Sequence, residues 1–449
     1  MKRTAPVFLA LLIFGALAAG CGQAAQPTSP PKAAPPSGAQ TAAPTQAASP
    51  TQTTATKPAA VAPSGGGPSE IVAGLAVGLT GQYARESLFT RRGYELAVKE
   101  ANDAGGVMVK DHGRNLPVRL IVYDDKSDNT TAVSLYEKLV TEDKVNVLFG
   151  GYSTPIVQAE TVVAEKYRIP YVNGGGATGA IYERGMKYVF GTLASIEKLS
   201  FTLMDRFSAW QDEGKLAKPA KIALIGENSS HGTEFRQGVV KKADAAKDRF
   251  NIVVNEPFEL NLKDADPLLQ KVKTANADIF LADARLSDYT TIHRRYTELG
   301  LYHQIVSYGP RGPEKAARDA LGPASDYIIS ANWWDPGIAS ASSQAFAKKY
   351  QAAYNETPEW FAALAYESAR AMFKAIEAAG TLDKDKVRDA LARVDLKDSL
   401  VPGGELKFKE NGQADYDYLV IQNKPGGKND IIYPKDAATG EAVVPKPRS

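Results

Sequence analysis

Residues 120–154 read LIVYDDKSDNTTAVSLYEKLVTEDKVNVLFGGYST, and their order decides the fold. Strand-like residues stop at two aspartates, and a helical segment follows over 130–143. β-Formers return at 145–149 and end abruptly in Gly150 and Gly151. Then come Tyr152, two hydroxyl residues and a proline placed as in a first helical turn. Strand, helix and strand in this order predict parallel strands joined by a helix.

The same alternation extends both ways. Strands are predicted at 71–79, 116–125, 145–150 and 169–173, with helices at 87–106, 130–143 and 155–168. After a helix reaching Trp210 the cycle restarts. Strands are predicted at 220–227, 250–258, 277–283, 304–309 and 327–334, with helices at 231–246, 265–275 and 288–300. Two such series in tandem imply two similar α/β lobes, each a parallel sheet covered on both faces. Two long helices (342–356 and 360–380) and a shorter one from Asp383 follow. Residues 403–422 alternate like an antiparallel ribbon.

Length and composition narrow the function. A chain of 449 residues holds two lobes. Its 53 basic and 51 acidic residues form no long basic run, which argues against a nucleic-acid partner. The single cysteine, Cys21, excludes a disulfide within the chain and a cysteine metal site. His112, His231, His293 and His303 lack zinc-ligand spacing, so neither a metal nor a cofactor is expected.

The N-terminus has a basic start, a short apolar run and small residues before Cys21, which predicts an export signal over 1–20. The LAAGC ending resembles a bacterial lipobox, although Ala18 stands where leucine is usual. The resemblance implies lipidation at Cys21 and a membrane anchor. Residues 21–68, rich in Ala, Pro and Thr, read as a disordered tether.

The strand ends carry the candidate site. Ligands of open parallel sheets sit beyond the carboxyl ends of the strands. At FGGYSTP, Tyr152, Ser153 and Thr154 meet a helix N-terminus, whose free N–H groups suit a carboxylate. Ser153 or Thr154 as a simple helix cap is the plainer alternative. In VNGGGATG the glycines spell G-x-G-x-x-G, but late in the series, which argues against dinucleotide binding. Backbone groups around Gly175 and Ala177, and the hydroxyl of Thr178, are expected to face a ligand. A plain flexible turn is the other reading. GYSTP departs from the G-x-S-x-G elbow, so an enzyme is not expected. In TGQYARES, Gln82, Tyr83, Arg85 and Glu86 come to the cleft mouth, with Tyr83 as a lid.

These segments in order resemble the type I periplasmic binding proteins of ABC transporters, in the leucine/isoleucine/valine group. The resemblance rests on GLAVGLTGQYA, GYELAVKEANDAGGV, the opening stretch, IPYVNGGGAT, YVFGT, KIALIGENSSHGTEF and GGELKFKENGQ, and covers 70–433. It implies two doubly wound lobes joined by three crossovers, near 191–195, 331–336 and 400–403. Lobe one would hold 69–193 and 334–400. Lobe two would hold 194–333 and 401–433, and 434–449 would be a loose tail. The implied function is capture of a small carboxylate-bearing solute by a monomer that delivers it to an ABC permease. A sensing module reporting to a signalling partner is the alternative.

The resemblance also seats the ligand carboxylate at Ser153 and Thr154 and the loop after them. It puts a ligand-covering residue at His231, which reads equally as an exposed loop histidine. Asp283 could accept an ammonium, cap its helix or pair with Arg285. In leucine binders the segment matching SYGPRGPEKAA carries a glutamate for the ligand ammonium, and here Arg311 holds that place. It would hold a second anionic or carbonyl group, or else point outward or pair with Glu314. Trp333 and Trp334 would wall the cleft or pack the hinge.

Overall fold

The computed structural model describes residues 67–448. The expected signal, Cys21 and nearly all of the tether lie outside the described residues. In chain order the first elements are β1 (Ile71–Val77), α1 (Ala84–Asp103), β2 (Val107–Val109), β3 (Arg114–Leu116), β4 (Val118–Asp124), α2 (Asn129–Thr141), β5 (Val147–Phe149), α3 (Thr154–Tyr167), β6 (Tyr171–Asn173), α4 (Gly179–Tyr182), β7 (Val189–Gly191) and α5 (Ile196–Asp212). The second series runs β8 (Ala220–Glu227), α6 (Ser230–Ala245), β9 (Phe250–Phe258), α7 (Asp266–Ala275), β10 (Ile279–Asp283), α8 (Leu286–Glu298), β11 (Ile305–Tyr308), α9 (Lys315–Leu321) and β12 (Ile329–Asn332). The chain closes with α10 (Ala341–Tyr354), α11 (Trp360–Ala379), α12 (Lys384–Leu391), β13 (Asp395–Lys397), β14 (Glu405–Lys407), β15 (Leu419–Lys424) and β16 (Lys428–Tyr433).

The central strands are short apolar runs buried on both faces, as parallel strands under helices must be. The first sheet has the order β4-β1-β5-β6-β7, all parallel. The second repeats that order as β9-β8-β10-β11-β12, also parallel, and adds β15 and β16 antiparallel at its far edge. Each sheet therefore reverses its winding once, between β1 and β5 and between β8 and β10. Such a switch point opens a crevice at the carboxyl ends of the strands.

The helices after β12 pack back on the first lobe. α11 crosses α1 so closely that a Cβ at Gly93 would meet the Ala362 carbonyl oxygen at 2.2 Å. Phe346, Tyr350 and Phe373 are buried in this core. At the crossover Trp333 donates to the Ala194 carbonyl at 3.0 Å, and Trp334 to Ser343 Oγ at 3.1 Å.

Two sequence expectations are corrected. Residues 403–422 form only one antiparallel bridge with themselves, Phe408 to Ala414; otherwise β14 pairs with β13, Gln413 bridges to Gly191 of the first sheet, and β15 pairs with β12 and β16. Nor is the stretch after Tyr433 loose. The Lys446 N–H donates to the Gln304 carbonyl at 2.8 Å, Tyr302 donates to the Lys446 carbonyl at 2.7 Å, and Val443 exchanges two bonds with Gln422. The segment is exposed or half-exposed along its length, and backbone and side-chain bonds to the second lobe fix it in place.

Candidate functional site

The carboxyl ends of β1 and β5 bring Tyr83, Tyr152 and Ser153 to the first switch point. The ends of β8 and β10 bring Glu227, His231, Asp283 and Arg285 to the second. Tyr152, only 1% exposed, is where the two meet. Its hydroxyl oxygen accepts from Arg285 Nη1 at 3.1 Å and from Arg311 Nη2 at 2.5 Å. Burial pushes this phenol up to about 12, against the facing guanidiniums, so it keeps its proton. A phenol has two lone pairs and one proton. Both lone pairs are taken, and no acceptor for the proton occurs among the described residues.

Aromatic rings wall the meeting point. Tyr83 and Phe361 stand edge-on to Tyr152 with centroids 5.7 and 5.3 Å away, and Trp360 lies 6.4 Å off. The Arg285 guanidinium lies 5.3 Å from the Tyr83 ring, and that of Arg311 5.5 Å from Trp360. Cation–π contacts and ion pairs together hold both buried arginines. Arg285 Nε is shared between the two Glu227 oxygens at 3.0 Å, and Arg311 Nη1 donates to Glu314 Oε1 at 2.7 Å. Arg311 therefore points inward and also pairs with Glu314, combining two readings the sequence left opposed. Glu86, 6% exposed, belongs to the same electrostatic neighbourhood.

Asp283 pairs with neither Arg285 nor a helix N–H. Its Oδ2 meets His231 Nδ1 at 2.8 Å, both side chains buried. Burial alone would raise the Asp283 carboxyl, but His231, Arg285 and Arg311 hold it below its ordinary value. The exposed-loop reading of His231 is thereby corrected, since its ring is fixed under the cleft. Glu227, His231 and Asp283 place ligating atoms within 4.8 Å of one another, but each carboxylate already has a cationic or hydrogen-bonding partner.

Ser153 begins α3 with extended backbone, yet its side chain makes no capping bond. Its Oγ is buried and has no hydrogen-bond partner. Arg285 Nη2 is likewise buried without a partner. Thr154 Oγ1 accepts from the Ala177 N–H at 3.4 Å, and the Ala177 carbonyl accepts from Gln413 at 2.9 Å. The expected exposure of Ala177's backbone is thus corrected. Gly175 serves close packing: a Cβ there would meet the Gly151 carbonyl oxygen at 2.1 Å, and its N–H donates to Asn173. The expectation for Thr178 is corrected too. Its hydroxyl donates to Glu234 of α6, which also accepts from the N–H groups of Gly179 (2.8 Å) and Glu197 (3.0 Å). This half-buried carboxylate fastens the start of α4 to the start of α5.

The mouth is held in a similar way. Gln82 accepts from Asn261 at 3.2 Å, and Arg85 pairs with Glu359 at 2.7 Å. Glu227, Glu314, Glu234, Trp360 and Phe361 were not singled out from the sequence as site residues. For Glu227 the signal was present, since it ends a strand beside the switch point.

Two doubly wound lobes with polar strand ends meeting across a crevice define a protein that captures a small solute. The profile of the family described as periplasmic binding protein matches residues 70–428. Leu/Ile/Val-binding protein homolog 8 of Brucella abortus (strain 2308) is 27% identical over 357 residues, which cover 77% of this chain and 86% of the relative. A branched-chain amino acid transporter substrate-binding protein from Streptococcus pneumoniae, solved with isoleucine, has a TM-score of 0.70 at 22% identity and covers 84% of this chain and 100% of its own. An ABC transporter solute-binding protein from R. palustris, solved with benzoate, has a TM-score of 0.69 at 21% identity and covers 84% and 98%.

The chain belongs to the periplasmic binding protein family and has the type I fold. It is a solute-binding protein rather than an enzyme, and the family implies a place outside the cytoplasm. No helix among the described residues is long and apolar enough to cross a membrane.

Proposed function

We propose that the protein is the extracytoplasmic, lipid-anchored component of an ABC importer that captures a small carboxylate-bearing solute and presents it to a membrane permease. One observation carries the ligand class. Three buried donors at the meeting point lack an acceptor: Ser153 Oγ–H, the Tyr152 proton and Arg285 Nη2. A buried unpaired donor costs about 1–3 kcal/mol, so a site with three of them favours a ligand rich in acceptor oxygens. A carboxylate supplies about four lone-pair sites and no competing donor. The N-terminus of α3 adds further attraction for an anion.

The aromatic wall of Tyr83, Phe361 and Trp360 suits an apolar or aromatic body behind that carboxylate. The benzoate-bound relative is consistent with such a body. The residues we assign to the ligand are Tyr83, Glu86, Tyr152, Ser153, His231, Asp283 and Arg311, with Arg285 added. Lobe movement turns on the three crossovers near 191–195, 331–336 and 400–403. A ligand that touches both lobes draws them closed by no more than its differential affinity for the two states. Lipidation at Cys21 keeps this cycle beside the permease.

Titration calorimetry with amino acids, dicarboxylates, keto acids and aromatic carboxylates tests the reading. We expect saturable binding that weakens in Ser153→Ala, with a ligand profile that changes in Arg311→Glu. An Arg311→Glu variant with an unchanged profile would remove Arg311 from ligand selection. Mass spectrometry of membrane-extracted protein, wild type against Cys21→Ser, tests the anchor; an unmodified wild-type Cys21 would exclude it.

A further inference from the structure

Beside the carboxylate seat, on the far side of the Trp360 ring that faces Tyr152, lies a cavity of about 220 Å³ lined in part by Glu314, the partner of Arg311. Its lining includes Glu314, Trp334, Asp335 and Trp360. This is below the roughly 300–1,000 Å³ of drug-sized pockets, so it suits a small group rather than a whole cofactor. Two features of the lining point to a ligand. Glu314 is 2% exposed; its Oε1 is held by Arg311, but its Oε2 has no hydrogen-bond partner. Trp360 is 4% exposed, and its indole N–H is also unpartnered. One wall thus offers an acceptor and another a donor, both buried and both unused.

We infer that this cavity binds a carboxamide or urea group, whose carbonyl accepts the Trp360 N–H and whose N–H donates to Glu314 Oε2. The choice follows from matching donors to acceptors. A carboxylate would accept from Trp360 but bring no donor for Glu314 Oε2. An ammonium would satisfy Glu314 and leave the indole N–H without an acceptor. An amide or urea carries both functions on one planar unit and no charge. Burial raises the Glu314 carboxyl to about 7 despite the facing Arg311, so its protonation varies near neutrality; an amide, which both donates and accepts, suits either form.

The inference rests on the reading of the cleft as a solute site and sharpens its ligand class. Two sources carry the group: simple amides and ureas, or amino acids with an amide side chain, which would also fill the carboxylate seat. The test is calorimetric titration of the intact protein with acetamide, propionamide and urea, with glutamine and asparagine, and with matched propionate, propylamine and glutamate. Wild type is compared with Trp360→Phe, Glu314→Gln and Ser153→Ala, each first shown to melt cooperatively.

We expect amide-bearing ligands to bind more tightly than their matched acids and amines. Trp360→Phe should weaken them by roughly three- to tenfold, the size of one neutral hydrogen bond. If simple amides bind alone, Ser153→Ala leaves them unaffected; if glutamine or asparagine is preferred, Ser153→Ala weakens it as well. Tight binding of a carboxylate that depends on Ser153 but not on Trp360 or Glu314, with no amide preference, overturns the amide assignment and leaves the cleft reading intact. Binding of none of these ligands overturns the amide assignment; the cleft reading falls only when keto acids, dicarboxylates and aromatic carboxylates fail to bind as well.

Discussion

Replacing Tyr152 with phenylalanine removes one oxygen and keeps the ring. That oxygen lies on the loop after β5 and accepts from two guanidiniums carried by the second lobe, Arg285 and Arg311. A hydrogen bond to a charged partner is worth about 1.5–3 kcal/mol net. Both arginines keep their carboxylates, Glu227 and Glu314, and opening of the cleft lets water replace the lost acceptor. The combined loss therefore falls below the sum of two such bonds, at about 2–3 kcal/mol. At 1.4 kcal/mol per tenfold, this shifts the open–closed balance toward open by roughly 30- to 150-fold. The aromatic contacts with Tyr83 and Phe361 survive, so the lobes themselves should fold as before. Paired spin labels on α2 and α8 would read the interlobe distance. The expectation is a longer, broader distance distribution in Tyr152→Phe and an affinity for any captured solute lower by a similar factor. A distribution and an affinity both within twofold of wild type would refute the idea that this hydroxyl couples the lobes.

Three more outcomes follow from particular groups. Ser153→Ala removes a buried hydroxyl that has no partner and caps nothing, so the melting temperature should stay level or rise slightly while solute affinity falls; a large loss of stability would mean the hydroxyl has a structural partner. Stability should fall as pH rises from about 6.5 to 8. Burial raises Glu160 to about 8 and Asp125 to about 7, so between their unfolded and folded values the native state holds more protons than the unfolded one, and stability present at low pH is lost on the way up. His293 and His303, lowered to about 4 by burial, act oppositely but only below 6.5, and Glu160→Gln should flatten the upper window; melting curves across pH decide it. Truncation after Tyr433 should cost about 1–3 kcal/mol, because the Lys446, Val443 and Glu441 backbone bonds to the second lobe are lost; an unchanged melting point would show the tail to be dispensable.

Much of this architecture was legible because parallel strands under helices leave a strong signal. The predicted strands 220–227 and 250–258 match β8 and β9 residue for residue. β16 and β13 were not, since KNDIIY and DLK are short, polar and half-exposed, and only neighbouring strands make them pair; β14 lies in the stretch read as a ribbon, but its partner β13 lies outside it. At the site, the strand-end rule pointed to Tyr152, Ser153 and Asp283. It did not reveal that Asp283 chooses His231 while Arg285 chooses Glu227, because that choice depends on side-chain reach across neighbouring strands. Thr178 illustrates the limit further: its partner Glu234 lies 56 residues away on a helix, with no local mark. Trp360 was missed because a tryptophan opening an apolar helix reads as core; its ring is core, and only its unpartnered N–H marks it out.

The central claim is that the crevice between the lobes captures a small acid. The measurement that tests it most directly is thermal melting of the protein, unfolded and refolded to strip any carried-over solute, against aliphatic and amide amino acids, dicarboxylates, keto acids and aromatic carboxylates. A ligand at 100 times its dissociation constant adds about 2.7 kcal/mol, enough to raise the melting point by several degrees. The account predicts such a rise with at least one carboxylate-bearing ligand, and a smaller rise with the same ligand in Ser153→Ala. A cooperatively melting protein that shifts with no member of the panel, or shifts equally in Ser153→Ala, would contradict it.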